Sequence, residues 1–124
     1  MSLFRDGIAA SPGIVIGPAH VLRWETPRVP HQTVAPDEVE AEVERFHEAR
    51  RAAMERIREI QIRTRERFGE VEAQIFDPQL LMLEDVELID GTVGYIRENR
   101  LSAARSFELR MLEVQSEWRR TGHP

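Results

Sequence analysis

Four histidines are the first residues to weigh for chemistry: His20, His31, His47 and His123. A histidine used for proton transfer, phosphoryl transfer or metal binding needs a partner at fixed spacing, a second His or a carboxylate that orients the ring. His20 sits among apolar β-branched residues, His31 follows Pro30, and His123 is next to the C-terminus. His47 has Glu44 and Glu48 near it at helical spacing, which reads as a solvated neighbourhood and not as a ligand set. A carboxylate di-metal site in a helical bundle would need a Glu-x-x-His repeat on two helices, and no such repeat is present. Ser11 precedes Pro12-Gly13, but neither GxxxxGK[ST] nor GxGxxG occurs to cradle a phosphate. The absence of Cys excludes disulfides, thiolate metal sites and thiol nucleophiles. The residues thus assign no catalytic residue and no metal ligand, and they point to a binding module.

The acids are distributed unevenly. Phe68 to Ile96 holds Glu70, Glu72, Asp77, Glu84, Asp85, Glu87 and Asp90 and not one basic residue, whereas the rest of the chain is rich in Arg. Apolar residues are interleaved with these acids. At helical spacing Ile75, Leu80, Leu83 and Leu88 share one face, while Leu81, Met82, Asp85 and Glu87 lean elsewhere. A helix that is apolar on more than one side has two surfaces to cover, its own core and a partner, and the acids suit a basic partner. The bland alternative is a buried helix with a solvated acidic rim.

The elements that position this stretch are mostly helical. Pro36 suits a first helical position, with Asp37 and Glu38 in the first turn. From there to about Arg67, the apolar residues Val39, Val43, Phe46, Ala53, Ile57 and Ile60 form a heptad-like seam that Arg50 interrupts once. Gly69 is a stop signal. A second helix is expected over Glu70 to Leu83, kinked or broken near Asp77-Pro78. A third is expected over Asp85 to Arg100, where Gly91 and Gly94 would permit close packing. Ser102 is placed as the N-cap of a last helix that carries Ala103, Phe107, Leu109, Met111, Leu112, Val114 and Trp118 and stops at Thr121-Gly122. Ahead of these, Ile14-Val15-Ile16 and Ala19 to Leu22 read as one or two short strands set off by Pro12-Gly13 and Gly17-Pro18, and 25–34 as an extended linker. The expected fold is therefore mainly α: an antiparallel helical bundle led by one long helix, with a short N-terminal β appendage. Residues 1–34 form the strand segment and linker, and 35–122 the helical subdomain.

The 124 residues suffice for one domain and a core. A net charge of −5 and a pI near 5.4 argue against nucleic acid as a partner; that all 17 basic residues are Arg reads as genome composition and not as function. No apolar run approaches a membrane span and no signal-peptide pattern opens the chain, so the expected location is cytoplasmic, away from the membrane. Met1-Ser2-Leu3 reads as a leader ahead of the first motif.

Three groups of residues, in order and without obvious gaps, resemble the N-terminal region of enzyme I of the bacterial phosphoenolpyruvate-dependent sugar phosphotransferase system. They are Gly7 to Gly17 (GIAASPGIVIG), Glu42-Val43-Glu44-Arg45-Phe46, and Phe68-Gly69-Glu70 with Ile75-Phe76, Leu83-Glu84-Asp85 and Glu87-Leu88. The resemblance reaches to about Met111. It implies a helical subdomain that docks the histidine-containing phosphocarrier HPr while phosphate passes from phosphoenolpyruvate to the enzyme and on to HPr for sugar uptake. It implies that Glu70, Gln79, Leu81, Met82, Asp85, Glu87 and Leu88 lie on or near the docking face. It also implies an opening strand whose sheet lies in another subdomain, so that the chain is a fragment of a longer enzyme. The family's phosphorylated histidine lies in a Gly-Gly-x-Thr-Ser-His motif that is absent here, so no catalytic residue carries over. No cofactor is implied for this chain, and Mg for the intact enzyme only. Val71 and Val86 stand where the family often has acids, Gln79 replaces a His of some members, and the segment from Glu117 departs from an acidic, Tyr-containing one. Those departures leave open a nitrogen-regulatory variant with a different carrier. The incomplete bundle expected from the last departure predicts self-association. A separate reading of the residues is a helical oligomerisation module built on the Val39–Ile60 seam.

Overall fold

The computed structural model describes residues 3–23 and 25–122; His123 and residues 1–2, part of the stretch read as a leader, lie outside them. A single 3-10 turn, Pro36–Glu38, opens the helical region. It runs into α1 (Val39–Phe68), α2 (Glu70–Ala73), a second 3-10 turn (Gln74–Phe76), α3 (Asp77–Glu84), α4 (Val86–Asn99) and α5 (Ala103–Arg120). No helix among the described residues is long and apolar enough to cross a membrane.

α1 is the spine, and each element ends for a local reason. Gly69, at φ +115°, stops α1, and its N–H donates to the Arg65 carbonyl. The expected break at Asp77-Pro78 is seen as a restart: Pro78 occupies the first turn of α3, where its missing N–H costs nothing. Asp85 caps α4 by accepting from the Glu87 N–H at 2.9 Å. Ser102 caps α5 by accepting from the Arg105 N–H at 3.3 Å.

The core is small. Val43 and Phe46 of α1 and Ile96 of α4 are buried, with Val39, Ile89, Val93, Ala103 and Phe107 packed against them. The rings of Phe46 and Phe107 lie 6.3 Å apart. The α1 seam is therefore consumed within the chain. Met54, not Ala53, takes its next buried position, while Ala53 is exposed. Gly91 admits the Arg110 side chain, whose Cδ would stand 2.6 Å from an added Cβ; Gly94 faces open space and has no such role.

One expectation is corrected. No strand forms among the described residues, and the apolar side chains of Ile8, Ile14, Val15, Ile16, Val21 and Leu22 stand in solvent. A short apolar strand needs neighbours to satisfy its backbone and cover its faces, and no second strand is available within the described chain. The linker, in contrast, is tied down. Val34 N–H donates to the Arg100 carbonyl at 2.8 Å and Ser102 N–H to the Gln32 carbonyl at 3.0 Å, around an antiparallel bridge of Thr33 with Leu101. Arg100, at φ 52°, turns the chain out of α4 to present those groups.

α5 is held from α1 as well. The Glu42 carboxylate, only 12% exposed, accepts from the Ala103 N–H at 2.7 Å, at the positive end of the α5 dipole. Replacing Ser102 by Ala should cost about 1 kcal/mol, and Glu42 by Ala a similar amount, read as lower midpoints in urea unfolding with unchanged m-values. Two surface pairs set an acid limit. Arg97 hydrogen-bonds Glu40 and Arg65 hydrogen-bonds Glu70, and each holds its carboxyl below the usual 4.5. The unfolded chain then takes up these protons first as pH falls. The contribution is present above about pH 4.5 and lost through the lower folded values. The Tm of a Glu40→Gln, Glu70→Gln double variant should fall less between pH 5 and pH 3 than that of the parent chain, and added salt should shrink the difference.

Candidate functional site

α2, α3 and the start of α4 cross one flank of α1 in the opposite direction, and polar side chains of α1 fasten them there. Arg50 Nη1 donates to the Leu83 carbonyl at 2.9 Å, a group at the α3 C-terminus without a helical partner. Arg58 reaches Glu84 at 3.3 Å. Gln61 Nε2 donates to the Ala73 carbonyl at 3.0 Å and to Asp77 Oδ1 at 2.7 Å. Arg65 pairs with Glu70, Nε to Oε2 at 2.5 Å. As α1 runs from 50 to 65, its partners run from 83 back to 70. This rail sets how the acid-rich stretch is presented.

Fastening divides the seven acids. Glu70, Asp77 and Glu84 are bound to α1, and Asp85 is occupied as a cap. Glu72, Glu87 and Asp90 make no ion pair among the described residues. The face is thus less acidic than the sequence suggests, because two of its carboxylates answer arginines of α1, a third accepts from Gln61 and a fourth caps a helix.

The outward side of this face is apolar. Val71 (75% exposed), Ile75, Leu81 (67%), Met82 (39%) and Val86 all reach solvent, and Phe68, beside Arg67, stands at the α1 end. Of the residues expected at the site, Glu70, Gln79, Leu81, Met82, Asp85 and Glu87 are exposed. Leu88 is not: at 3% exposure it supports α4 from beneath, since the Asp85 cap starts α4 in a phase that turns Leu88 inward together with Thr92 and Ile96. Ile75, expected on the core face, is exposed, and Phe76 is part-buried instead. The 3-10 turn at Gln74–Phe76 advances 120° per residue, so the helical phase counted from Glu70 no longer holds beyond it. Val71, Ile75 and Val86 are the members of the face that spacing alone missed. Val71 and Ile75, four apart, were a legible pair; Val86 follows a cap that resets the phase.

Nothing on the face is arranged for covalent chemistry. His47 packs its ring 5.5 Å from that of Phe46. Among the described residues no three His, Asp or Glu side chains gather to hold a metal ion, so no donor set here fits Mg²⁺. The arrangement offers an apolar strip flanked by three unpaired carboxylates, on a scaffold fixed by hydrogen bonds.

A family model described as PEP-utilising enzyme, N-terminal, matches residues 6–124. The phosphoenolpyruvate-protein phosphotransferase of Haemophilus influenzae is 42% identical over 98 residues, which are 79% of this chain and 17% of that protein. The protein of the same name from Buchnera aphidicola subsp. Acyrthosiphon pisum is 37% identical over 104 residues, 84% of this chain and 18% of that one. A solution NMR structure of Enzyme I superposes with a TM-score of 0.72 at 23% identity, over 80% of this chain and 40% of that one; at that identity it speaks for the fold, a helical domain of the same arrangement. This chain spans less than a fifth of the length of these curated relatives. By the family match over residues 6–124, supported by these relatives, the chain belongs to the PEP-utilising enzymes and corresponds to their N-terminal domain.

Proposed function

We propose that this chain is the carrier-docking part of a phosphoenolpyruvate–protein phosphotransferase that serves sugar uptake. It positions a small HPr-like phosphocarrier so that a histidine of the carrier receives phosphate from the rest of the enzyme. The observation that carries this reading is the exposed apolar strip Val71, Ile75, Leu81, Met82 and Val86, flanked by Glu72, Glu87 and Asp90 with no cation of their own. An apolar centre with a charged rim is the anatomy of a transient protein interface. The sign of the rim calls for a carrier with basic residues around its own apolar patch. Met82 adds a deformable contact suited to a partner that docks and leaves.

The residues of this chain bind and orient; the phosphoryl transfer belongs to groups elsewhere in the intact enzyme, and no step is routed through Mg²⁺ here. A second reading keeps the same face but a different carrier, in a nitrogen-regulatory system. Val71 and Val86 support it, because they make the strip more apolar and less acidic. A homo-oligomerisation module built on the α1 seam is less well supported, since Val43, Phe46 and Met54 are already buried within one chain.

Titration of the chain with HPr from the same source, followed by NMR and calorimetry at two salt concentrations, tests this. Saturable binding is expected to map to residues 70–87 and to weaken as salt rises. Leu81→Ala combined with Glu87→Lys, both at exposed positions, should weaken binding by about tenfold or more while leaving the unfolding midpoint nearly unchanged. Unaltered binding by that double variant would remove the face from consideration. Binding only to the nitrogen-regulatory carrier would select the second reading.

A further inference from the structure

Two arginines of α1 treat the acid-rich stretch differently from the rest. Arg45, Arg51, Arg56 and Arg63 pair with Glu42, Glu44 and Glu59, acids of α1 itself. Arg58 and Arg65 reach across to the 70–84 segment instead, Arg58 to Glu84 at 3.3 Å and Arg65 to both carboxylate oxygens of Glu70. Both bind side-chain oxygens there. The backbone of the segment is gripped by other residues, Arg50 at the Leu83 carbonyl and Gln61 at the Ala73 carbonyl, and Ala73 and Leu88 are buried beneath it. Arg58 and Arg65 add little to that hold, and their larger effect is on charge: each cancels a carboxylate.

Those two carboxylates frame the exposed apolar strip. Glu70 adjoins Val71 at one end, and Glu84 lies two residues before Val86 at the other. Asp77, by contrast, accepts from the neutral Gln61 amide and keeps its charge. The four side chains of the two ion pairs are between 43% and 60% exposed, so a partner can reach both members of each pair. An ion pair this exposed is weak and opens readily. The Arg65 hydrogen bond holds the Glu70 carboxyl below the usual carboxylate range, so near neutral pH it is charged and able to take another cation.

We propose that Arg58 and Arg65 are intramolecular competitors for the carrier's cations, guarding Glu84 and Glu70 until basic residues at matching positions displace them. The proposal rests on the carrier reading above and adds a specificity device to it. A basic surface that reaches only the strip meets Glu72, Glu87 and Asp90, which have no ion pair among the described residues. One that also displaces both arginines gains Glu70 and Glu84. A basic protein whose charges lie elsewhere meets the guarding arginines as like charges and is repelled. Because one ion pair is exchanged for another, affinity is tempered, which suits a carrier that must leave.

Calorimetric titration of the chain with HPr from the same source tests this through Arg58→Gln and Arg65→Gln. Each should tighten binding by about threefold and steepen its dependence on salt. A purely orienting role predicts the opposite sign, because a loosened segment presents the strip less well. The decisive readout is a double-mutant cycle. Glu70→Gln should change affinity by less than about twofold in the parent chain, where Glu70 only changes partners, and weaken it by about threefold or more in the Arg65→Gln background. Arg65→Lys should return affinity toward that of the parent, and urea midpoints near the parent's would show that the segment stays seated in these variants. Weaker or unaltered binding by both arginine variants, or an equal cost of Glu70→Gln in the two backgrounds, would overturn the proposal and leave the carrier reading standing. No binding by the folded parent or by any variant would remove both.

Discussion

The position of α5 depends on one carboxylate. Glu42, nearly out of water on α1, accepts from the first N–H of α5, 61 residues away in sequence. A buried carboxylate is costly unless its lone pairs are used, and the amino end of a helix supplies both a donor and a favourable dipole. Ser102 takes a second free N–H of the same turn, and the 32–34 segment satisfies the backbone of the α4–α5 connection. With α5 so fixed, Phe107 reaches the Phe46–Ile96 core, and the far half of α5 stands off α3 to leave a groove.

A second constraint is the set of ties along the opposite flank of α1. Arg50, Arg58, Gln61 and Arg65 each answer a group on the 70–84 segment, whose helical pieces are too short to hold themselves. Most of these bonds are exposed and individually weak, and their worth lies in orientation. They turn the apolar side chains of α2 and α3 outward and draw off three of the acids. The exposed apolar face is therefore a product of what α1 does not cover. The same flank leaves Arg50 without a carboxylate, which gives the molecule two surfaces of different charge character, one acidic and one locally basic.

Much of the fold was legible because its signals are local. Pro36, Gly69, Pro78, Asp85 and Ser102 mark element ends through backbone geometry and short-range hydrogen bonds that require no distant partner, and each acts where its residue type predicts. The resemblance read from the sequence rests in part on residues of the same kind, those of the Gly- and Pro-punctuated opening. The misreadings have a common origin in phase and in missing neighbours. Ile75 was assigned to the core face by a constant 100° step, which a 3-10 turn interrupts, whereas Leu88, which that spacing grouped with Leu80 and Leu83, was set on the docking face by the family resemblance alone. The Ile14–Ile16 run has strand propensity, but a strand is a pairing, and no partner strand lies within the described residues.

The sequence by itself determined a mainly helical chain with a long leading helix, an acid-rich apolar stretch and no catalytic constellation. These follow from composition and periodicity, which do not depend on how helices are placed. Only the tertiary structure decided which acids remain unpaired among the described residues, that Leu88 is buried, that the linker is anchored, and that Arg50 has no carboxylate partner among those residues. Those properties are relations between different elements, between residues as far apart as Gln32 and Ser102, and no local rule of spacing carries them.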